Sequence, residues 1–294
     1  MAGNLGLLTT MLFWGCQLPF LAVLLERYDP FLLAALRFVL AAPVLMLIVW
    51  HLGRSGTRRP MPVWWRCALL GCAVAGFAFF YTLGVRYSHP VTAAALVACS
   101  PLVAGLLAWV LQRVPPTRGL LLGGLLAVLG GVLASIDWQA GTLGLRGGEF
   151  LILLATTSWS WYSLTAQRWL AGYPQFSITM YSIVPAALIL SLFYGLALLG
   201  GLAPRMLPRP EVQDLLMFAS ISFGSICIGT VCWNYGVGRV GVVVASMYLN
   251  LIPVIAVLVA MGFGVRPRVG QLLGGLLVLA GVMLSQWQGL RKAA

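Results

Sequence analysis

Ten stretches of about twenty mostly apolar residues, the length that crosses a bilayer, follow one another along this chain. They lie at approximately 4–25, 30–51, 62–85, 90–112, 117–136, 147–169, 174–200, 211–236, 240–263 and 268–288. Short turns marked by proline, glycine or charge separate them, such as Glu26 to Pro30, Gly53 to Pro60 and Arg86 to Pro90. None is long enough for a folded aqueous domain. Charged residues make up 8% of the chain, against roughly 25% in a soluble domain, so its outer face must be lipid rather than water. The sequence predicts an all-α integral membrane protein of ten transmembrane helices.

The few charges sit where that architecture tolerates them. All six acids, Glu26, Asp29, Asp137, Glu149, Glu211 and Asp214, fall near span ends, and His51 and His89 lie in or beside loops. No acid, base, nucleophile or metal ligands are gathered within the membrane, so the chain reads as no enzyme, with neither cofactor nor metal. The net charge of +12 comes from basic residues scattered over many turns, which argues against nucleic acid as a partner and for the lipid bilayer. In the first half, Arg54, Arg58, Arg59, Arg66, Arg113 and Arg118 would lie inside against Arg27 and Arg86 outside. By the positive-inside rule both termini are then cytoplasmic. Met1 to Asn4 carry no positive segment, so no cleavable signal peptide is expected. The six cysteines form no CxxC pair and read as helix packing.

An internal repeat organises the ten helices. The stretch GLLLGGLLAVLG at Gly119–Gly130 recurs as GQLLGGLLVLAG at Gly270–Gly281. Upstream, Gly84 matches Gly236 and Pro101 matches Pro253, while the first helices align through Trp14 and Trp159. The chain therefore divides into a five-helix repeat at 1–140 and a second at 141–294. Five crossings leave the chain on the opposite side, so the second copy enters inverted. Inverted repeats around a central cavity are the architecture of many secondary transporters. The glycines of the fifth and tenth helices allow close packing, as scaffold or dimer surface. Pro101 and Pro253 recur in both copies and read as hinges or kinks.

Candidate binding residues are polar or aromatic groups within the spans. Thr10, Trp14 and Gln17 share one face of the first helix, and their repeat-mates are Ala155, Trp159 and Tyr162. Phe77, Tyr81 and Gly84 form a stripe on the third helix, matched by Thr230, Trp233 and Asn234. Asn250 stands one turn from Ser246, and Thr92 and Ser100 are isolated hydroxyls of the fourth span. Trp14, Gln17, Tyr81, Trp159, Tyr162, Trp233, Asn234 and Asn250 are the substrate-binding candidates; each has helix packing as its alternative. Arg37 is the one charge well inside a span, paired with carbonyls or a nearby acid such as Glu26 or Asp29, or else contacting a substrate carboxylate.

Several short motifs carry a resemblance: LFWG at Leu12–Gly15, LR at Leu36–Arg37, FFYTLGVRY at Phe79–Tyr87 leading to Ser100-Pro101, and the paired GGLL stretches. In this order they resemble the drug/metabolite transporter superfamily, specifically its ten-helix EamA-type members. WNYGV at Trp233–Val237, followed by a small-residue helix reaching Asn250, is similar to the YddG-type aromatic amino-acid exporters of bacterial inner membranes. The resemblance implies a cavity lined by helices one, three and four with six, eight and nine. It also implies export of aromatic and other neutral amino acids by a monomer or homodimer. Two departures stand out. Gln112-Arg113 occupies the place of a family Glu-Arg, and no carboxylate lies between Leu5 and Leu25, where small multidrug relatives carry a proton-exchanging Glu. The sequence thus predicts alternating access driven by the substrate gradient. The alternatives are a broad exporter of cationic or apolar toxic metabolites and a membrane scaffold without transport.

Overall fold

A computed structural model describes residues 2–54, 61–88, 93, 96, 97, 99–137, 142, 143, 147–204, 208–262, 264, 273, 276, 277, 280 and 281. It is helical almost throughout. The elements are α1 (Ala2–Arg27), α2 (Pro30–Arg54), α3 (Trp64–Arg86), α4 (Ser100–Gln112) and α5 (Arg118–Ser135). They continue as α6 (Gly148–Trp169), α7 (Gln175–Leu199), α8 (Val212–Val240), α9 (Val242–Tyr248) and α10 (Leu251–Gly262). Between α5 and α6 a two-residue antiparallel ladder pairs Ile136 with Leu143. Among the described residues α1, α2 (over Pro30–Gly53), α3, α7 and α8 are long and apolar enough to cross a membrane.

Local chemistry sets where these helices begin. Asp29 Oδ1 accepts the backbone N–H groups of Phe31 and Leu32 at 2.9 and 3.1 Å, and Pro30 opens α2 with a preset φ. Glu211 and Asp214 form a reciprocal capping box at the start of α8. Pro101 and Pro253 each stand in the first turn of a helix, α4 and α10, where a missing N–H disturbs no intrahelical bond. The predicted ninth span is accordingly two helices, α9 and α10, with Leu249 and Asn250 between them. The first part of the predicted fourth span, Thr92 included, and most of the tenth lie outside the described residues.

α8 departs from the uniform helix its composition suggests. Residues Ser220–Gly229 form a π-helical segment within it. A π turn is wider than an α turn and is frequently found at functional sites. Gly224 lies under the Phe13 ring, and a Cβ there would stand 2.5 Å from Phe13 Cδ1. Small residues in the wide segment let α1 approach.

Packing around the site follows two close crossings. α3 lies against α6 and α7, and α1 against α8 and α10. At the first, a Cβ on Gly84 would stand 2.6 Å from Ile152 Cδ1 and 3.1 Å from the Gly148 carbonyl oxygen. At the second, a Cβ on Gly236 would stand 2.6 Å from Leu7 Cδ2 and 3.2 Å from the Gly3 carbonyl oxygen. Only glycine fits either crossing. Outward, Trp50, Trp64, Trp65 and Trp109 are exposed near helix ends, where indoles favour the headgroup level.

Candidate functional site

Three indoles from three helices meet at the centre of the bundle. Trp14 on α1 stands 5.1 Å from Trp159 on α6, edge to face, and 5.3 Å from Trp233 on α8. Phe77 lies 4.9 Å from Trp159 and stacks on Tyr81 at 5.3 Å. Such ring pairs contribute roughly 0.5–1.5 kcal/mol each beyond their buried area. Beside them is a cavity of about 50 Å³, room for a few water molecules.

The cavity lining is largely apolar, with isolated polar groups. Trp14, Gln17, Tyr81 and Trp159 line it, as do Arg37 and Ser225. The Gln17 carboxamide faces the Tyr81 hydroxyl. Trp14 Nε1 donates to the Ser225 carbonyl at 3.0 Å, and Thr10 Oγ1 lies 3.0 Å from the Gly229 carbonyl. Ser225 Oγ donates back to the Phe13 carbonyl at 3.0 Å. The π segment thus presents carbonyls sideways to α1, and α1 answers with side-chain donors. No Asp or Glu lies among the lining residues described.

A second polar layer lies behind the wall. Asn234 Nδ2 donates to the Tyr162 hydroxyl and to Thr179 Oγ1, each at 3.0 Å, and Gln167 Nε2 donates to the Asn234 carbonyl at 3.1 Å. Trp233 Nε1 donates to Ser163 Oγ at 3.0 Å. Tyr162 and Asn234 are therefore bonded to each other, and Trp233 to Ser163, in a network across α6, α7 and α8 outside the cavity lining. Asn250 donates to the Met247 carbonyl at 2.6 Å from the break between α9 and α10, and its Oδ1 has no partner among the described residues.

Arg37 is buried at the cavity edge. Its Nη2 donates to the Ala78 carbonyl and to Thr82 Oγ1 of α3, each at 3.1 Å. The expected acid partners are elsewhere: Asp29 caps α2, and the ion pairs among the described residues join Arg27 to Glu211 and Asp214.

The model of the EamA-like transporter family matches this sequence twice, over residues 1–136 and 146–287. The chain belongs to that family. It is a transporter of the drug/metabolite transporter superfamily, a class of carriers rather than of enzymes. Curated relatives agree. It is 26% identical over 266 residues to the uncharacterized transporter YyaM of Bacillus subtilis, covering 87% of this chain and 84% of that one. An uncharacterized transporter of Archaeoglobus fulgidus is 26% identical over 96% of both chains. A probable terminal-alkyne amino-acid exporter of Streptantibioticus cattleyicolor is 25% identical, over 95% of this chain and 91% of its own. One crystal structure superposes with a TM-score of 0.75 over 99% of both chains at 21% identity, a likeness of fold.

Within this transporter the structure brings four of the eight predicted binding residues to the cavity and places the other four behind or beside it. It also adds lining residues that the sequence reading passed over. Thr156 sits three residues before Trp159 and shares its face, so helical spacing could have found it. Ser225 is lining because the π segment turns it there, and no periodicity signals that. Phe38, Ile183 and Ile226 are apolar lining, indistinguishable in sequence from core.

Proposed function

We propose that this transporter exports neutral amino acids with aromatic or other apolar side chains across the bacterial inner membrane. It does so by alternating access between two inverted five-helix halves, 1–140 and 141–294. One observation carries the reading: the cavity combines an indole and phenol wall with a few amides and hydroxyls, and no carboxylate lines it among the described residues. Aromatic faces pack an apolar side chain and attract an ammonium. A site for organic cations would be expected to hold an acid instead.

The inverted organisation has support of its own. The two glycine crossings use matching residues, Gly84 with Gly148 and Ile152 against Gly236 with Gly3 and Leu7. Exchanging the halves turns one crossing into the other. The family model matches twice, over residues 1–136 and 146–287, which supports a chain of two related halves. In this scheme Trp14, Gln17, Tyr81 and Trp159 touch the substrate, while Tyr162, Trp233, Asn234 and Asn250 set the wall behind them. The breaks at Pro101 and Pro253 supply the bends on which the halves rock. The relative named as an amino-acid exporter lends the substrate class.

Proteoliposomes preloaded with unlabelled phenylalanine should take up labelled phenylalanine by counterflow, with quaternary ammonium dyes failing to compete. A panel of neutral amino acids giving no counterflow would overturn the export reading. Accumulation against a gradient on imposing a pH difference would overturn the gradient-driven part alone.

A further inference from the structure

Two buried donors, on residues that line the cavity, lack an acceptor among the described residues. Arg37 Nε and Trp159 Nε1 have no hydrogen-bond partner among the described residues, though the side chains belong to residues only 1% and 7% exposed. Both residues line the same cavity. Buried donors are nearly always paired, and one left open marks a missing acceptor.

The surroundings explain why each is open. Arg37 spends its Nη2 on α3, at Ala78 and Thr82, which fixes its head and leaves the Nε edge free. No carboxylate among the described residues lies within ion-pair distance, so the protein leaves this charge uncompensated. The counterpart helix α7 carries no charged residue at all, so the scaffold itself needs no cation there. For Trp159 the comparison is with its repeat-mate. Trp14 reaches the Ser225 carbonyl over Gly229. In the register that pairs Tyr81 with Trp233, the matching residue of α3 is Phe77, whose ring stands 4.9 Å from that of Trp159. A phenyl ring occupies the space that a glycine leaves in the other half.

We propose that Arg37 and Trp159 form an anion subsite that takes the carboxylate of the transported molecule, and that carboxylate rather than ammonium is the group the site demands. This rests on the export reading and narrows it. A guanidinium and an indole N–H are both donors, and a carboxylate offers them the strongest charge-assisted acceptor. The ammonium meets aromatic faces and neutral hydroxyl or amide oxygens but no carboxylate among the described residues, a weaker hold than a charge-assisted pair. The substrate class is then apolar or aromatic monocarboxylates, of which neutral amino acids are one kind.

The test uses the full-length purified protein, with binding followed by tryptophan fluorescence and exchange by counterflow. Three ligands separate the groups: phenylalanine, phenylalaninamide and 3-phenylpropionate. Phenylalanine and 3-phenylpropionate should bind within a few-fold of each other, and the amide at least about tenfold more weakly. Arg37→Gln should erase that discrimination, and Arg37→Lys should keep part of it. Because Arg37→Gln could disturb folding, Trp159→Phe supplies a second arm: it keeps a ring, removes the N–H, and should weaken both carboxylates several-fold. Amide binding equal to that of phenylalanine, or discrimination intact in folded Arg37→Gln and Trp159→Phe, overturns the subsite. Binding and exchange of 3-phenylpropionate without phenylalanine would uphold the subsite and remove the amino-acid reading. Silence from all three ligands removes both.

Discussion

Asn234 and Trp159 are both buried in the helix bundle, and their hydrogen bonding differs. Asn234 donates to two side chains and receives a bond at its carbonyl, from α6 and α7. Replacing it with Ala removes the amide that bonds both the Tyr162 hydroxyl and Thr179 Oγ1, so Asn234→Ala should cost about 1–3 kcal/mol. A lower unfolding temperature in detergent would show it. Trp159→Phe removes no internal hydrogen bond, so it should lower the unfolding temperature only by the packing lost when an indole becomes a phenyl ring. At this scale the sequence was legible by face. Helical spacing put Trp14 and Gln17 together, and both reach the cavity. It could not say that Tyr162, three residues after Trp159, turns to Asn234 instead, because the covering partner comes from another helix.

At the scale of the element, glycine decides how closely helices approach. A methyl group at Gly84 or Gly236 must displace a branched side chain and meet a backbone carbonyl. Gly84→Ala and Gly236→Ala should therefore each destabilise by about 1–3 kcal/mol, the usual cost of overpacking. Similar losses in thermal unfolding would fit the repeat; a neutral change at one site would not. Gly229→Ala acts differently, since its Cβ would stand 2.7 Å from Trp14 Nε1. It should break the bond to the Ser225 carbonyl and shift tryptophan emission. Most of the observed helices were readable from apolar length, and Asp29-Pro30 announced the start of α2. The π segment was not readable: SISFGSICIG has an ordinary helical composition, and the segments it packs against, α1 and α2, are distant in sequence.

Across the whole molecule, one polar cluster ties the end of α1 to the start of α8. Arg27 Nη1 meets Glu211 and Asp214 at 2.9 Å each, and the Tyr28 hydroxyl donates to Asp214 Oδ2 at 2.9 Å. Burial, helped by the Asp214 carboxylate, pushes the Tyr28 phenol above its ordinary range, so it remains a donor. The exposed Arg27–Glu211 pair contributes little, whereas Asp214 is buried and central. Asp214→Asn should loosen this end of the bundle. With the six native cysteines replaced and a single cysteine placed at Ser100 on the cavity lining, a hydrophilic maleimide should label the loosened protein faster than the Asp214 parent. The sequence showed both acids as helix-end charges, but a partner 186 residues away leaves no local pattern.

Arg37 also gives the molecule an electrical property. A guanidinium stays charged in any protein environment, and among the described residues no acid pairs with it. As access switches sides around it, the membrane field acts on that charge, worth about 2.3 kcal/mol per 100 mV for a full crossing. A bound carboxylate cancels the charge, and a bound zwitterion leaves it in place. The empty carrier and the carrier loaded with a simple carboxylate therefore feel the membrane voltage differently. Export of deaminated acids should respond to an imposed potential where export of neutral amino acids does not.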